Sequence, residues 1–439
     1  MRDAEQGDAI GRTGFYTNEP WTAGVIGLGY VGLPLAITAT DAGLRVIGYD
    51  VNEALVEQLA AGRSNVDDVR DEQLSAALTH KLEVTADASR LADCDAIFVC
   101  VPSPLGRHRE PDLSYIKAAA DTIRAVAQPE LLVCLESTTY PGTTEDVIVG
   151  AVTGAGLVLD ENVWVAFSPE RVSPGDAFKT ADIPKLVGGV TPASTEVAAA
   201  AYGRFVSSVH PVSSAAVAEM AKLVENTYRA VNIGLANEMS QLAHTLDISI
   251  WEVIDAAATK PFGFQPFYPG PGVGGHCIPL DPQYLAWRAR EANFATRFID
   301  LAEQVNAAQP EYTAERIAAV LNERQIAVNG AEILGIGIAY KRNIADDLES
   351  ASIEVLRLLE ARGAVVSVLD PIIGSDAIEH HGFTAVDEDE DLGRFALGAV
   401  LTDHDDIDYD RIAAFVPVIF DSRGAYRARG IVALNVVAL

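Results

Sequence analysis

Two periodicities alternate along the chain. Short apolar runs at Val25–Ile26, Arg45–Tyr49, Ala96–Val101, Leu131–Leu135 and Val163–Phe167 are separated by stretches with apolar residues at helical spacing. Unbroken apolar runs suit strands covered on both faces, and their alternation with helices predicts a doubly wound parallel sheet. From about Ser213 the pattern changes. Ala215–Thr245 lacks proline and predicts one long helix, and a second helical run is expected over Trp287–Asn322. Strand–helix alternation then resumes with Glu332–Lys341, Ser352–Arg362, Val365–Asp370, Ala399–Thr402 and Val416–Phe420. The expected class is α/β, with two Rossmann-like doubly wound sheets joined by a helical central domain. The expected boundaries are a flexible tail over 1–20, a first sheet domain over 21–212, the helical domain over 213–325 and a second sheet domain over 326–439.

The first strand runs into Gly27, Gly29 and Gly32, with Tyr30 and Val31 between them; a helix-compatible stretch follows, and the next strand ends at Asp50. Strand, glycine turn, helix, strand and acid form the dinucleotide fingerprint. The glycines let a pyrophosphate approach the helix N-terminus, where unpaired N–H groups favour an anion. Asp50 suits ribose hydroxyls and repels a 2′-phosphate, so NAD is expected rather than NADP. Later strands end in polar or turn residues: Pro102-Ser103, Ser137-Thr138 and Ser168-Pro169-Glu170-Arg171. Each is ordinary turn chemistry alone; converging on one sheet edge, they suggest a site.

Length and charge narrow the class. At 439 residues, two or three domains are expected. No apolar run suits a bilayer span, and the polar N-terminus lacks signal-peptide order, so a cytoplasmic protein is expected. Cys94, Cys100, Cys134 and Cys277 are scattered without CxxC pairs, which argues against a disulfide framework and against a metal site. A net charge of −30 repels nucleic acid and anionic membrane. Lysines number only seven, Lys222 and Lys341 among them, and the acidic, lysine-poor composition fits a high-salt cytoplasm.

The stretch Tyr268-Pro269-Gly270-Pro271-Gly272-Val273-Gly274-Gly275-His276-Cys277 ends at a cysteine, with Asp281 four residues on. It reads equally as a turn ending in a structural cysteine and as a ligand loop carrying a nucleophile. Lys222 and Asn226, four apart on the predicted long helix, share one face.

Together, Gly27–Pro34, Glu136–Thr144, Ser168–Val172, Glu219–Thr227, Gly274–Cys277 and Ala339–Lys341 resemble the UDP-glucose/GDP-mannose dehydrogenase family, over nearly everything from Ala23 onward. The loop version looks most like the subgroup acting on UDP-N-acetylhexosamines, UDP-N-acetylglucosamine above all. The resemblance implies a four-electron, NAD-dependent oxidation of a sugar C6 alcohol to a carboxylate, for surface glycan synthesis. It implies Cys277 as nucleophile, Lys222 and Asn226 as stabilisers of charge on the substrate oxygen, and Asp281 as the acid paired with that lysine. Glu170 becomes the base for thioester hydrolysis and Thr138 a hydroxyl that orients water. Arg171, Lys341 and the loop from Tyr268 to Gly274 become UDP-sugar contacts. A homodimer built on the long helix is expected. Two positions depart from the family pattern: Pro174 stands where some members carry a second glutamate, and Leu348 where an arginine is usual, with Arg342 the nearest replacement. The competing readings are a two-electron hydroxyacid dehydrogenase, which needs no Cys277, and a non-catalytic nucleotide-binding scaffold.

If the acidic surface is adapted to high salt, unfolding temperature rises steeply with KCl from 0.1 to 3 M; an unfolding temperature independent of KCl contradicts the adaptation.

Overall fold

In the computed structural model, which describes residues 11–66, 68–171, 182–387 and 389–439, the apolar runs are strands. The first sheet is built from β1 (Thr22–Ile26), β2 (Arg45–Tyr49), β3 (Leu82–Thr85), β4 (Ala96–Val99), β5 (Leu131–Leu135), β6 (Val163–Phe167), β7 (Lys185–Gly189) and β8 (Val209–Pro211). Their order is β3-β2-β1-β4-β5-β6-β7-β8, parallel throughout except that β7 runs antiparallel to β6. β4, β5 and β6 are buried along their whole length, which is why they carry unbroken apolar runs.

The second sheet comprises β9 (Glu332–Ile336), β10 (Val365–Leu369), β11 (Thr384–Ala385), β12 (Leu397–Val400), β13 (Ile419–Asp421) and β14 (Val436–Ala438). It is parallel throughout, in the order β11-β10-β9-β12-β13-β14, so both sheets reverse direction between their first and fourth strands. Brändén-type ligand sites lie at that reversal, beyond the carboxyl ends of the strands.

The chain divides into two compact units, one ending at Glu225 and recruiting Gln283–Phe294, the other comprising Asn226–Pro282 and Ala295–Leu439. The helical middle contributes residues to both units. Its apolar residues join the sheet cores: Ala218, Leu223 and Tyr284 the first, Ala314, Ile317 and Leu321 the second. The long helix spans Ala215–Thr245 as the pattern predicts, but the second run is two helices, Asp281–Glu291 and Arg297–Glu323, parted where Asn293 takes φ 57°. No helix among the described residues is long and apolar enough to cross a membrane.

The expected loose tail is corrected for residues 11–20. Residues 11–18 are helical, and Tyr16 is fully buried, edge-on to Trp21 at 5.2 Å, with its hydroxyl donating to the Asp95 carbonyl at 2.5 Å. The charges around it hid an aromatic anchor. Tyr16→Ala should destabilise the first unit by about 3–5 kcal/mol, as truncation of a buried aromatic does, visible as a lower denaturation midpoint; an unchanged midpoint would restore the tail reading.

Candidate active site

In the first unit the glycine turn is dictated by space. Gly27 has φ 91°, and a Cβ there would lie 2.7 Å from the Cys100 carbonyl; a Cβ at Gly32 would collide with the Gly27 carbonyl. At Gly29, by contrast, a Cβ would meet nothing within 4 Å, so backbone faces open space beside the N-terminus of helix Gly32–Asp41. Asp50 holds the turn: one carboxylate oxygen accepts from the Leu28 N–H and the other from the Asn52 N–H, each at 2.9 Å. Each oxygen keeps a second lone pair for a ribose hydroxyl. A bare turn beside a helix N-terminus, with a carboxylate that keeps acceptor capacity, fits a dinucleotide. Tyr30 is exposed. Pro102 is exposed and Ser103 half-buried just past β4. Ser137 is buried, its hydroxyl donating to the Val101 carbonyl at 2.7 Å, so it braces the Pro102–Ser103 turn; Thr138 beside it is half-buried.

Glu170 and Lys222 meet in this unit, where the Lys222 ammonium donates to the Glu170 carbonyl at 2.6 Å. Arg171 is spent differently from the expected substrate contact. Its guanidinium forks onto Glu225, at 2.7 and 3.2 Å, and donates to the Pro184 carbonyl. Behind Glu170 lies a buried ion network absent from the sequence reading: Lys185 donates to Glu136 at 2.6 Å and to Glu170 at 3.1 Å, and the Tyr202 hydroxyl donates to Glu136 at 2.5 Å. Burial opposes the charge on Lys185, but the two carboxylates outweigh it and hold the ammonium well above the ordinary lysine range. Glu219, also buried, fixes the turn after Thr138 by accepting from the N–H groups of Gly142 and Thr144.

In the second unit the cysteine loop is clamped through its backbone. The Gly270 N–H donates to Asn237 at 3.2 Å, and the Gly270 carbonyl accepts from Gln309 at 2.9 Å; both amides are fully buried. Pro269 is buried next to it. A Cβ at Gly272 would meet Ala351 and Pro310, one at Gly274 the Glu349 carbonyl at 2.7 Å, and one at Gly275 the Tyr340 ring. The loop thus lies against the turn that carries Tyr340 and the half-buried Lys341. Tyr268 is partly withdrawn from ligand duty: its ring stacks on Trp251 and its hydroxyl donates to Asp255 at 2.8 Å.

Cys277 is exposed and in no disulfide, and its carbonyl accepts the Asp281 N–H at 2.9 Å as helix Asp281–Glu291 begins. Asp281 is buried and accepts from Asn226 at 2.5 Å. The other three cysteines are buried, and burial pushes the Cys94 thiol up to about 12 and those of Cys100 and Cys134 higher, leaving them protonated.

Leu348 contributes its carbonyl, which accepts the Gly275 N–H at 3.2 Å, while its side chain is exposed. Arg342, beside the missing arginine's position, is bound to Asp405 and lies 3.9 Å from Asp403. Pro174 lies outside the described residues. Arg423, just past β13, is the cation the sequence reading missed in this unit: one guanidinium nitrogen lies 2.5 Å from where a Gly270 Cβ would stand. Its place after a strand end was the available signal.

Comparison with known proteins agrees with this geometry. Residues 22–206 match the NAD binding domain, 216–308 the central domain and 334–428 the UDP binding domain of the UDP-glucose/GDP-mannose dehydrogenase family. The chain is 34% identical to a UDP-N-acetyl-D-glucosamine 6-dehydrogenase of Pseudomonas aeruginosa, covering 82% of this chain and 86% of that one. It is 33% identical to a UDP-N-acetyl-D-mannosamine dehydrogenase of Pyrococcus horikoshii, covering 92% and 98%. A solved structure of the UDP-D-ManNAc dehydrogenase from P. horikoshii superposes with a TM-score of 0.86 at 31% identity, covering 95% and 98%. A dinucleotide turn, a second sheet of the same order and a clamped cysteine loop therefore belong to a member of the UDP-glucose/GDP-mannose dehydrogenase family, an NAD-dependent nucleotide-sugar dehydrogenase.

Proposed function

We propose that this enzyme oxidises the C6 hydroxyl of UDP-N-acetylglucosamine to the carboxylate, reducing two NAD⁺ per sugar, and that the product serves surface glycan or polysaccharide synthesis. The observation that carries the reading is the chemistry of the four cysteines: three are buried and held protonated, while Cys277 is exposed at the end of a rigid glycine loop. Bound NAD⁺ supplies the hydride acceptor. Cys277 holds the C6 aldehyde as a thiohemiacetal, which stops it escaping between the two oxidations and turns the second into formation of a thioester. Lys222 and Asn226, both buried, stabilise the oxyanion that develops on C6, and Asp281 fixes the Asn226 amide by accepting its N–H. Glu170 accepts a proton from the water that cleaves the thioester, with Thr138 orienting that water. Lys341, Arg423 and the backbone of Gly270–Gly274 suit the diphosphate and sugar, a compact cation and a fork being the usual partners of phosphate oxygens.

A second reading, UDP-N-acetylmannosamine as substrate, is favoured by the likeness to the P. horikoshii enzyme. A panel of UDP-N-acetylglucosamine, UDP-N-acetylmannosamine and UDP-glucose with NAD⁺ separates them. The expected result is highest kcat/KM for UDP-N-acetylglucosamine with two NADH per sugar. Preference for the manno sugar selects the second reading, and one NADH per sugar rejects the four-electron reaction. Cys277→Ala should lower kcat by about 10³-fold or more, as loss of a nucleophile does; unchanged turnover would remove the covalent mechanism.

We also infer a homodimer. Along helix Ala215–Thr245 the exposed apolar residues Val217, Met220, Val224, Tyr228, Leu235 and Leu242 recur at helical spacing, opposite the buried Ala218, Leu223, Ala230 and Ala236. A stripe of this length calls for a partner. Light scattering should give twice the chain mass for the wild type, and the chain mass for Leu235→Glu/Leu242→Glu; a monomeric wild type would contradict the inference.

A further inference from the structure

Lys185 owes its position to one reversed strand. β7 is antiparallel to β6, pairing Ala166 with Gly189 and Phe167 with Gly188. Continued three residues past the carboxyl end of β6, that register sets Lys185 opposite Glu170. A parallel β7 would have put its first residue at the far edge of the sheet, away from every strand end that carries site residues. The side chains follow the register, with the Lys185 ammonium 3.1 Å from Glu170 and 2.6 Å from Glu136.

Exposure is graded along the network. The side chain of Glu136 is 0% exposed, that of Lys185 5% and that of Glu170 17%. Glu136 alone, with the Tyr202 hydroxyl on its other oxygen, already neutralises a buried ammonium. The second carboxylate is the one that reaches the surface, and its other oxygen accepts the Arg171 N–H at 2.8 Å. The groups facing Lys185 are Glu136 and Cys134 from the β5 segment, Cys100 after β4, Glu170 after β6 and Tyr202 from helix Pro192–Tyr202. Both thiols are held protonated by burial, which leaves the ammonium as the cation that neutralises the two carboxylates.

We propose that Lys185 is the positioning residue for Glu170: anchored by Glu136, its ammonium fixes the direction and the negative charge of the Glu170 carboxylate for thioester hydrolysis. The inference rests on the role proposed for Glu170. In that step water gives a proton to Glu170 while its oxygen adds to the thioester carbonyl carbon; the carbon–sulfur bond then breaks, Cys277 leaves as thiolate, and the sugar's new carboxyl group loses its remaining proton to solvent. Without Lys185, Glu170 loses a cation that favours its charged form, and the carboxylate is freer to turn.

The test compares Lys185→Met, Lys185→Arg, Lys185→Met/Glu136→Gln and Glu170→Gln on the full chain, with UDP-N-acetylglucosamine and NAD⁺. The double variant leaves no carboxylate buried beside an apolar side chain. Acyl-enzyme at Cys277 is measured by intact mass after quenching, together with kcat, sugar KM, pH profile and NADH binding. Both Met variants should trap acyl-enzyme, lose about 10²-fold in kcat as loss of general-base function does, keep sugar KM within threefold and move the acid limb of the kcat profile to higher pH. Lys185→Arg should restore most of kcat. If Glu170→Gln traps acyl-enzyme but the double variant keeps wild-type kcat and pH profile, the inference fails while the role of Glu170 stands. If Glu170→Gln traps nothing and turns over normally, that role fails and the inference with it. A loss shared equally by Arg and Met, or accompanied by lost NADH binding and no trapped acyl-enzyme, marks a purely structural lysine and overturns the proposal.

Discussion

Both units depend on the same constraint: a bare backbone turn after the first strand, whose N–H groups must be held by an acceptor that adds no bulk. In each, a carboxylate at the end of the second strand does this. Asp50 accepts from Leu28 at 2.9 Å, and Asp370 from Ile338 at 2.7 Å. The glycines then follow from space, since Gly27 has φ 91° and Gly337 φ 77°, each packed on a neighbouring backbone carbonyl. What differs is what else the carboxylate meets. Asp50 stays partly open and can face a ribose. The Asp370 side chain is fully buried and meets His404 as well, at 3.3 Å, while the Asn343 N–H donates to His404 Nδ1. The second carboxylate thus shapes the turn that leads to Lys341.

The cysteine loop solves the same problem with amides. Asn237 and Gln309 hold Gly270 from its N–H and its carbonyl, and Asn237 is itself joined to Asn306 at 3.1 Å. A neutral clamp of this kind holds the loop without adding charge to it. Arg423 lies next to Gly270, with Asp403 as its acidic partner at 3.4 Å.

How much of this was legible in the sequence depended on whether the signal was local. The glycine turn, Asp50, the long helix and most buried strands announce themselves within a few residues, through hydrophobic period and glycine spacing. Cys277 was visible as a residue, but its exposure, against three buried thiols, shows only in the fold. The amide clamp was not visible, because Asn237 and Gln309 lie 33 and 39 residues from Gly270 and resemble surface amides in isolation. Arg171 reads as a substrate contact by its motif, and only the fold shows Glu225 opposite it. Lys185 was hidden because strand direction is not written in a five-residue apolar run. The helix at residues 11–18 was missed because its acidic flanks outweighed Phe15, Tyr16 and Trp21 in the reading of polarity.

The reversed β7 bears as well on how the chain assembles. Lys185 lies 49 residues from Glu136 but only 15 from Glu170, so the contact between the ammonium and the surface carboxylate closes a short loop. Loop closure costs more entropy as the loop lengthens, and parallel pairings must wait for long crossovers. The turned strand therefore makes one charge contact of the network local in sequence, while the contact with Glu136 spans a parallel crossover.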